Sequence, residues 1–282
     1  MSDITPRRGA AVARQPGLRY GRRMASETTQ DSDRGKDEQF GFTPVGEGER
    51  QGRVNEVFAR VASRYDLMND LMSGGLHRLW KDDLIAWLAA PKSAVGYHLV
   101  DVAGGTGDVS KRFLDSAGPG GRCTLIDISS EMLKVAKERF AGTPPERLQI
   151  LNGDAQALPL PDACADAYSI AFGIRNVTHI DRALSEAFRV LRPGGRFLCL
   201  EFSHVDVPLL DTLYEQYSFM AIPRLGNLVA GDAASYRYLV ESIRNFPDQD
   251  TFATMVGDAG FERVRYRNLT GGIAALHSGW KL

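Results

Sequence analysis

Apolar positions along this chain follow two alternating rhythms, helical spacing of three and four and short continuous runs. From Arg53, RVNEVFARVASRYDLMNDLMS places Val54, Val57, Phe58, Val61 and Ala62 on one helical face, and HRLWKDDLIAWLAA predicts a second amphipathic helix. The run AVGYHLVDVAGGTGD (94–108) then reads as a buried strand that stops at Asp101 and breaks into a loop, followed by a helix over VSKRFLDSA. RCTLIDIS is a second strand ending at Asp127, and EMLKVAKERF a helix with apolar Met132, Leu133, Val135, Ala136 and Phe140. RLQILNGDA gives a third strand ending at Asp154, and DACADAYSIAFG a fourth. DRALSEAFRVLR is a helix striped by Ala183, Leu184, Ala187, Phe188 and Leu191; Pro193-Gly194-Gly195 stops it and RFLCLEF is the fifth strand. FERVRYRNL and GIAALHSGW close the pattern as two strands joined through Thr270-Gly271-Gly272, a hairpin signal. Strands alternating with helices and ending in a hairpin predict an α/β fold, a mostly parallel sheet with one antiparallel strand.

At 282 residues, with 43% apolar and 24% charged residues, the chain can bury one large α/β core. A net charge of −1 offers no basic surface for nucleic acid, so none is expected as a partner. Cys123, Cys164 and Cys199 lie on or beside strand-like segments without a C-x-x-C and read as reduced, packed thiols. The five histidines are scattered, and no metal is expected. The longest apolar run, near Leu84–Ala90, falls far short of the roughly 20 residues that span a bilayer.

The beginning of the chain differs. Residues 1–23 carry six arginines against one acid, Asp3, and residues 24–52 are polar and acidic; neither stretch can bury enough apolar surface to fold alone. Residues 1–45 are therefore expected to be a disordered extension and 46–282 the folded domain. Pro6, Pro16 and Gly17 oppose the amphipathic helix of an organellar presequence, and Met24 is an alternative start. Phe40-Gly41-Phe42 is the apolar anchor by which the extension can dock on the body.

The candidate chemistry lies at the strand ends. Gly104, Gly105 and Gly107 allow backbone to approach a small polar ligand closely, and the following helix presents its unpaired N–H groups there. A dinucleotide fingerprint starting at Gly105 would need Gly or Ala where Ser110 stands. The D-x-A-G-G-T-G-D loop instead suits S-adenosylmethionine (SAM), whose ammonium needs a carboxylate, here Asp101. Asp127, 26 positions later, is placed to grip a ribose diol, with helix capping as the alternative. Asp154 can accept a hydrogen bond from an adenine amino group.

Two longer segments carry a specific resemblance. Tyr65-Asp66-Leu67-Met68-Asn69 with Ser73, His77 and Trp80, and Arg189-Val190-Leu191-Arg192-Pro193-Gly194-Gly195 through Glu201 and Ser203, resemble the two signatures of the UbiE-type ubiquinone/menaquinone biosynthesis C-methyltransferases. FGIRNV, PRLGNLVAGD, SYRYLVESIRNFPDQ and GGIAALHSGWKL are similar to that family as well, so the resemblance spans about 40–282. It implies a class I SAM-dependent methyltransferase fold, Rossmann-like with seven strands. It also implies methylation of a ring carbon of a polyprenyl quinol, benzoquinol or demethylmenaquinol. The family's SAM contacts fall on Thr106, Asp127 and Asp154-Ala155, while a serine hydroxyl that bacterial members place before F-G-[IL]-R-N is absent, since the residue is Ala171.

A carbon nucleophile needs an electron-rich, partly deprotonated quinol, and Arg175-Asn176 stand where the ligand edge of the sheet is expected. Arg175 is the expected catalytic cation stabilising a quinolate, with water carrying the proton; pairing with a structural acid is the alternative. Tyr65, Asp66, Asn69 and His77 are the expected lid over the site, with helix packing as the alternative, as for Trp80. The apolar 205–247 insertion reads as an isoprenoid tunnel or membrane-facing mouth, or as ordinary core helices. The partners implied are the quinol, a membrane surface, a quinone-biosynthesis complex and a second copy of the chain. Placement is cytoplasmic and peripheral at the inner membrane, or in the matrix of a mitochondrion. Methylation of a soluble phenol or sterol-like acceptor, or a non-catalytic SAM-binding subunit, are the competing readings.

Overall fold

The protein is represented by a computed structural model, which describes residues 39–46, 49–61, 69–70, 73–92, 96–205 and 233–282. The expectations for residues 1–23, for Tyr65 and Asp66, and for most of 205–247 lie outside the described residues.

Seven strands form the central sheet. In chain order, after a short hairpin of β1 (Gln39–Phe40) and β2 (Thr43–Pro44), they are β3 (His98–Val102), β4 (Arg122–Asp127), β5 (Leu148–Asn152), β6 (Ala165–Ala171), β7 (Leu191–Phe202), β8 (Glu262–Leu269) and β9 (Ala274–Trp280). Their spatial order is β5-β4-β3-β6-β7-β9-β8. The first five run parallel, and β9 is antiparallel to both β7 and β8, so the expected single antiparallel strand is present. The chain winds outward from β3 to β5 and returns to β6 on the other side of β3. That reversal opens a crevice at the carboxyl ends of β3 and β6, where open α/β sheets bind ligands.

Helices cover both faces: α1 (Glu49–Val61), α2 (His77–Leu88), α3 (Asp108–Ser116), α4 (Ser130–Arg139), α5 (Ile180–Val190), α6 (Ala233–Asn245) and α7 (Gln249–Asp258). Because side chains alternate along a strand, β3 sends Leu99 into the core beneath α2 and α3, and Val100 and Val102 into the core beneath α5. Fully burying each such Leu or Val stabilises the fold by about 1.5–3 kcal/mol, which is why the β3 run is continuously apolar apart from Asp101.

Two sequence expectations are corrected here. First, β7 begins at Leu191, directly after α5, so the Pro193-Gly194-Gly195 segment neither stops the helix nor precedes the strand. It lies inside β7 at a register shift, where Gly194 takes φ +81° and donates its N–H to the Lys281 carbonyl at 2.6 Å. The Lys281 ammonium caps α5 instead, donating to the Phe188 and Leu191 carbonyls at 2.8 Å each. Second, the body starts before residue 46. Phe40 stacks on Tyr238 of α6 with ring centroids 4.1 Å apart, Asn245 donates to the Gly41 carbonyl at 2.6 Å, and Val45 is buried. Phe42 contributes only its backbone N–H, given to Glu241 Oε2 at 3.0 Å, while its ring is exposed. The apolar anchor is thus Phe40 alone.

Candidate active site

The turn after β3 is built from unusual backbone. Ala103, Gly105 and Gly107 all have positive φ (50°, 57° and 85°), and a Cβ on Gly107 would collide with the Phe140 ring. The Gly104 N–H donates to the Ile126 carbonyl at 3.1 Å, and the Gly105 N–H to Asp127 Oδ2 at 2.8 Å, so the loop is clipped to the end of β4. Opposite it, the turn after β6 carries Phe172 at φ +58° and Gly173, whose missing Cβ leaves room for Ala103.

Two cavities flank this loop, with Ala103 in the wall of both. The larger is a cleft that opens to solvent beside the loop. Asp127, Asp154 and Ala155 line it on the β4–β5 side, Phe172 and Asn176 on the β6 side, and Gln51 and Val54 of α1 close it. The smaller is lined by Asp101, Gly104, Thr106, Asp108, Ala171 and Lys81. All six cofactor residues expected from the sequence therefore surround these two chambers.

Their electrostatics differ. The Asp127 carboxylate accepts the Ser129 N–H on Oδ1 at 2.8 Å and the Gly105 N–H on Oδ2, leaving about two of its four acceptor positions for ligand hydroxyls. Burial pushes its pKa up, and these N–H donors oppose that. The cap of α4 is Ser129, whose hydroxyl accepts the Met132 N–H, so Asp127 is more than a helix cap. Asp154 lies two residues beyond β5, which ends at Asn152, and its Oδ1 accepts the Gln156 N–H at 2.9 Å. Asp101 is fully buried between the Ser110 and Ser169 hydroxyls, which donate at 2.7 and 2.8 Å; burial raises its pKa to about 6.

The expected catalytic pair divides. Arg175 lines neither cavity. Its Nη1 donates to Glu201 Oε1 at 2.5 Å and to the Phe172 carbonyl at 2.7 Å, its Nε to the Ser242 hydroxyl at 3.3 Å, and both charged side chains are 1% exposed. The structural-acid alternative is what the geometry shows: burial pushes the Glu201 carboxyl up, and the guanidinium counters it. Asn176 does face the larger cavity. Its Oδ1 accepts the Tyr238 hydroxyl at 3.1 Å, and its Nδ2 is buried with no hydrogen-bond partner among the described residues.

The expected lid residues that are described stand apart from both cavities. His77 Nε2 meets Asp70 Oδ1 at 2.9 Å, and burial followed by the Lys81 charge holds its imidazole below the usual range. Asn69 is buried, accepting the Ser73 hydroxyl on its carbonyl at 2.7 Å, with no partner for its side-chain amide among the described residues. Trp80 is packing: its ring meets Phe202 edge-on, and its Nε1 donates to Thr270 Oγ1 at 3.0 Å. Lys81 was missed altogether. The signal was its place on the stripe His77, Trp80, Lys81, Leu84, Leu88, where a lysine interrupts a buried face.

The model of the ubiE/COQ5 methyltransferase family matches residues 46–281. The chain belongs to this family. It is 59% identical over 249 residues, 88% of this chain and 94% of the relative, to the ubiquinone/menaquinone biosynthesis C-methyltransferase UbiE of Brucella anthropi. Its fold is also that of a SAM-dependent methyltransferase from Aquifex aeolicus (TM-score 0.54, 16% identity, 76% of this chain and 97% of that one). A second similar structure is phosphoethanolamine N-methyltransferase 2 from Haemonchus contortus, in complex with phosphomonomethylethanolamine and S-adenosylhomocysteine (TM-score 0.54, 14% identity, 72% of this chain and 52% of that one). The ubiE/COQ5-type chain is thus a SAM-dependent methyltransferase. The residues present fit the cofactor: Asp127 keeps free acceptor positions for a diol, and the smaller cavity sets carboxylate and ammonium side by side.

Proposed function

We propose that this enzyme methylates a ring carbon of a polyprenyl quinol, a demethylated benzoquinol or naphthoquinol. The single observation that carries the reading is 59% identity across 94% of a relative named for that chemistry; the larger cavity, joined to the cofactor loop, supports it.

SAM supplies a methyl group on a positively charged sulfur. The quinol ring carbon would take up that methyl, and the ring proton would pass to water. The protein's share is positioning and electrostatics. Asp127 and Asp154 would hold the nucleoside, and Asp101 would take the ammonium. The Asn176 amide N–H, buried and unpartnered, is preorganised to donate to an oxygen of the quinol as negative charge develops there. Arg175 supports it by holding the 172–176 turn through the Phe172 carbonyl, while Arg50 of α1 donates to the Arg175 and Val177 carbonyls. Arg175 is therefore a positioning residue.

A polyprenyl tail resides in the bilayer, so the enzyme works at a membrane surface, from the cytoplasm in a bacterium. No helix among the described residues is long and apolar enough to cross a membrane.

Purified protein given methyl-labelled SAM and chemically reduced, short-chain demethylbenzoquinol or demethylnaphthoquinol should label a ring carbon of at least one. The oxidised quinones should not react, because the ring is then electron-poor. Protein that binds SAM yet labels neither quinol would overturn the assignment.

A further inference from the structure

Lys81 sits on the buried stripe of α2, with its side chain 5% exposed. An ammonium there is expensive unless something charged meets it. Its Nζ donates to Asp108 Oδ2 at 2.8 Å, which uses one of its three N–H bonds. Pinning α2 to α3 does not by itself call for this lysine. Arg112 already joins the two helices from the outer side, pairing with Asp82 of α2 and Asp108 of α3. What distinguishes Lys81 is that it walls the smaller cavity together with Asp101, Thr106 and the Gly104 backbone.

This chamber therefore holds one cation and two anions, and it adjoins the nucleoside cavity through Ala103. A ligand that matches it carries one ammonium and one carboxylate on neighbouring atoms, as an α-amino acid does. The methionine end of the cofactor is such a group. We propose that Lys81 anchors the cofactor's α-carboxylate, with Asp108 holding the ammonium in place for it and Asp101 taking the cofactor's amino group. Backbone N–H groups of the glycine loop are then not the sole partners of that carboxylate, and α2 becomes a wall of the cofactor site. The assignment rests on SAM as cofactor and is independent of which acceptor is methylated.

The test is calorimetric binding, without turnover, of SAM and of decarboxylated SAM, which lacks only the carboxylate. Wild-type protein should prefer SAM by about 10- to 100-fold, the factor that accompanies one charge-assisted hydrogen bond. Lys81→Met should erase the preference by weakening SAM alone, leaving decarboxylated SAM and 5′-methylthioadenosine bound as before. Lys81→Arg keeps the charge and should retain the preference, and it serves where Lys81→Met fails to fold. Equal weakening of all three ligands in Lys81→Met would make the lysine merely structural and overturn the proposal. Wild-type protein that binds SAM and its decarboxylated form equally would overturn it without any variant.

Discussion

Asp101→Asn separates the burden that Asp101 places on the free protein from the ammonium-binding role proposed for it. The carboxyl is 1% exposed, and burial lifts its pKa from 3.8 to about 6 against the Ser110 and Ser169 hydroxyls, the Ser110 backbone N–H and the Lys81 charge, which all lower it. At about 1.4 kcal/mol per pH unit, that difference amounts to about 3 kcal/mol carried against folding by the ionised form. The sign follows from proton binding: between these two values the folded protein holds a proton that the unfolded chain has released. The stability that Asp101 contributes is therefore fully present below about 3.8 and is lost as pH rises through about 6. Asparagine cannot ionise, and the Ser110 and Ser169 hydroxyls can turn to accept from its amide. Urea denaturation of cofactor-free protein at constant m should find the variant more stable than wild type above pH 6, by at most about 3 kcal/mol, with the gap closing toward about pH 4. Titration with SAM should show the opposite ranking. Wild-type affinity should rise with pH through about 6, as the carboxylate forms, whereas the variant should bind about 10- to 100-fold more weakly and without that step. If both stability profiles run parallel, burial is not what raises this pKa. If SAM affinity is unchanged, Asp101 does not meet the ammonium.

Asp127→Ala should weaken SAM binding by about 10- to 100-fold in calorimetry, and a folded variant with wild-type affinity would remove the ribose assignment. Arg175→Met and Glu201→Gln each strand a buried partner and should lower unfolding free energy by about 3–5 kcal/mol in denaturant titrations; loss of turnover at unchanged stability would return Arg175 to a direct catalytic role. Asn176→Ala should show the reverse, a drop in kcat with unchanged SAM affinity and near-normal stability. Phe40→Ala should cost at least about 1 kcal/mol through the lost stack on Tyr238. Phe42→Ala should stay within about 0.5 kcal/mol, and equal effects of the two would contradict the one-sided anchor.

The centre of the sheet was readable from sequence because strands such as β3 and β4 are buried on both faces, which forces near-continuous apolar runs such as HLVDV and RCTLID. The acids at their ends were readable for the same reason: a charged residue closing an apolar run must meet either a partner or a ligand. The sequence pattern failed where a local feature was settled by a distant one. The Pro193-Gly194-Gly195 segment has the composition of a helix stop, yet its place within β7 depends on pairing with Lys281 at the end of the chain. Phe40 and Phe42 look equivalent in sequence. Only the position of Tyr238 makes one an anchor and leaves the other exposed.

The separation of Arg175 from Asn176 has a geometric cause that adjacency in sequence hides. Ile174–Asn176 form a single 3₁₀ turn, and at 3.0 residues per turn successive side chains project about 120° apart. Three consecutive residues must then face three directions. Ile174 packs in the core under α5, Arg175 meets Glu201, and Asn176 reaches the cavity. No rotamer change of Arg175 alone brings its guanidinium to the cavity without abandoning a buried carboxylate, a loss of about 3–5 kcal/mol. An adjacent pair in one motif can therefore be one contact residue and its support, and in this turn the backbone geometry decides which is which.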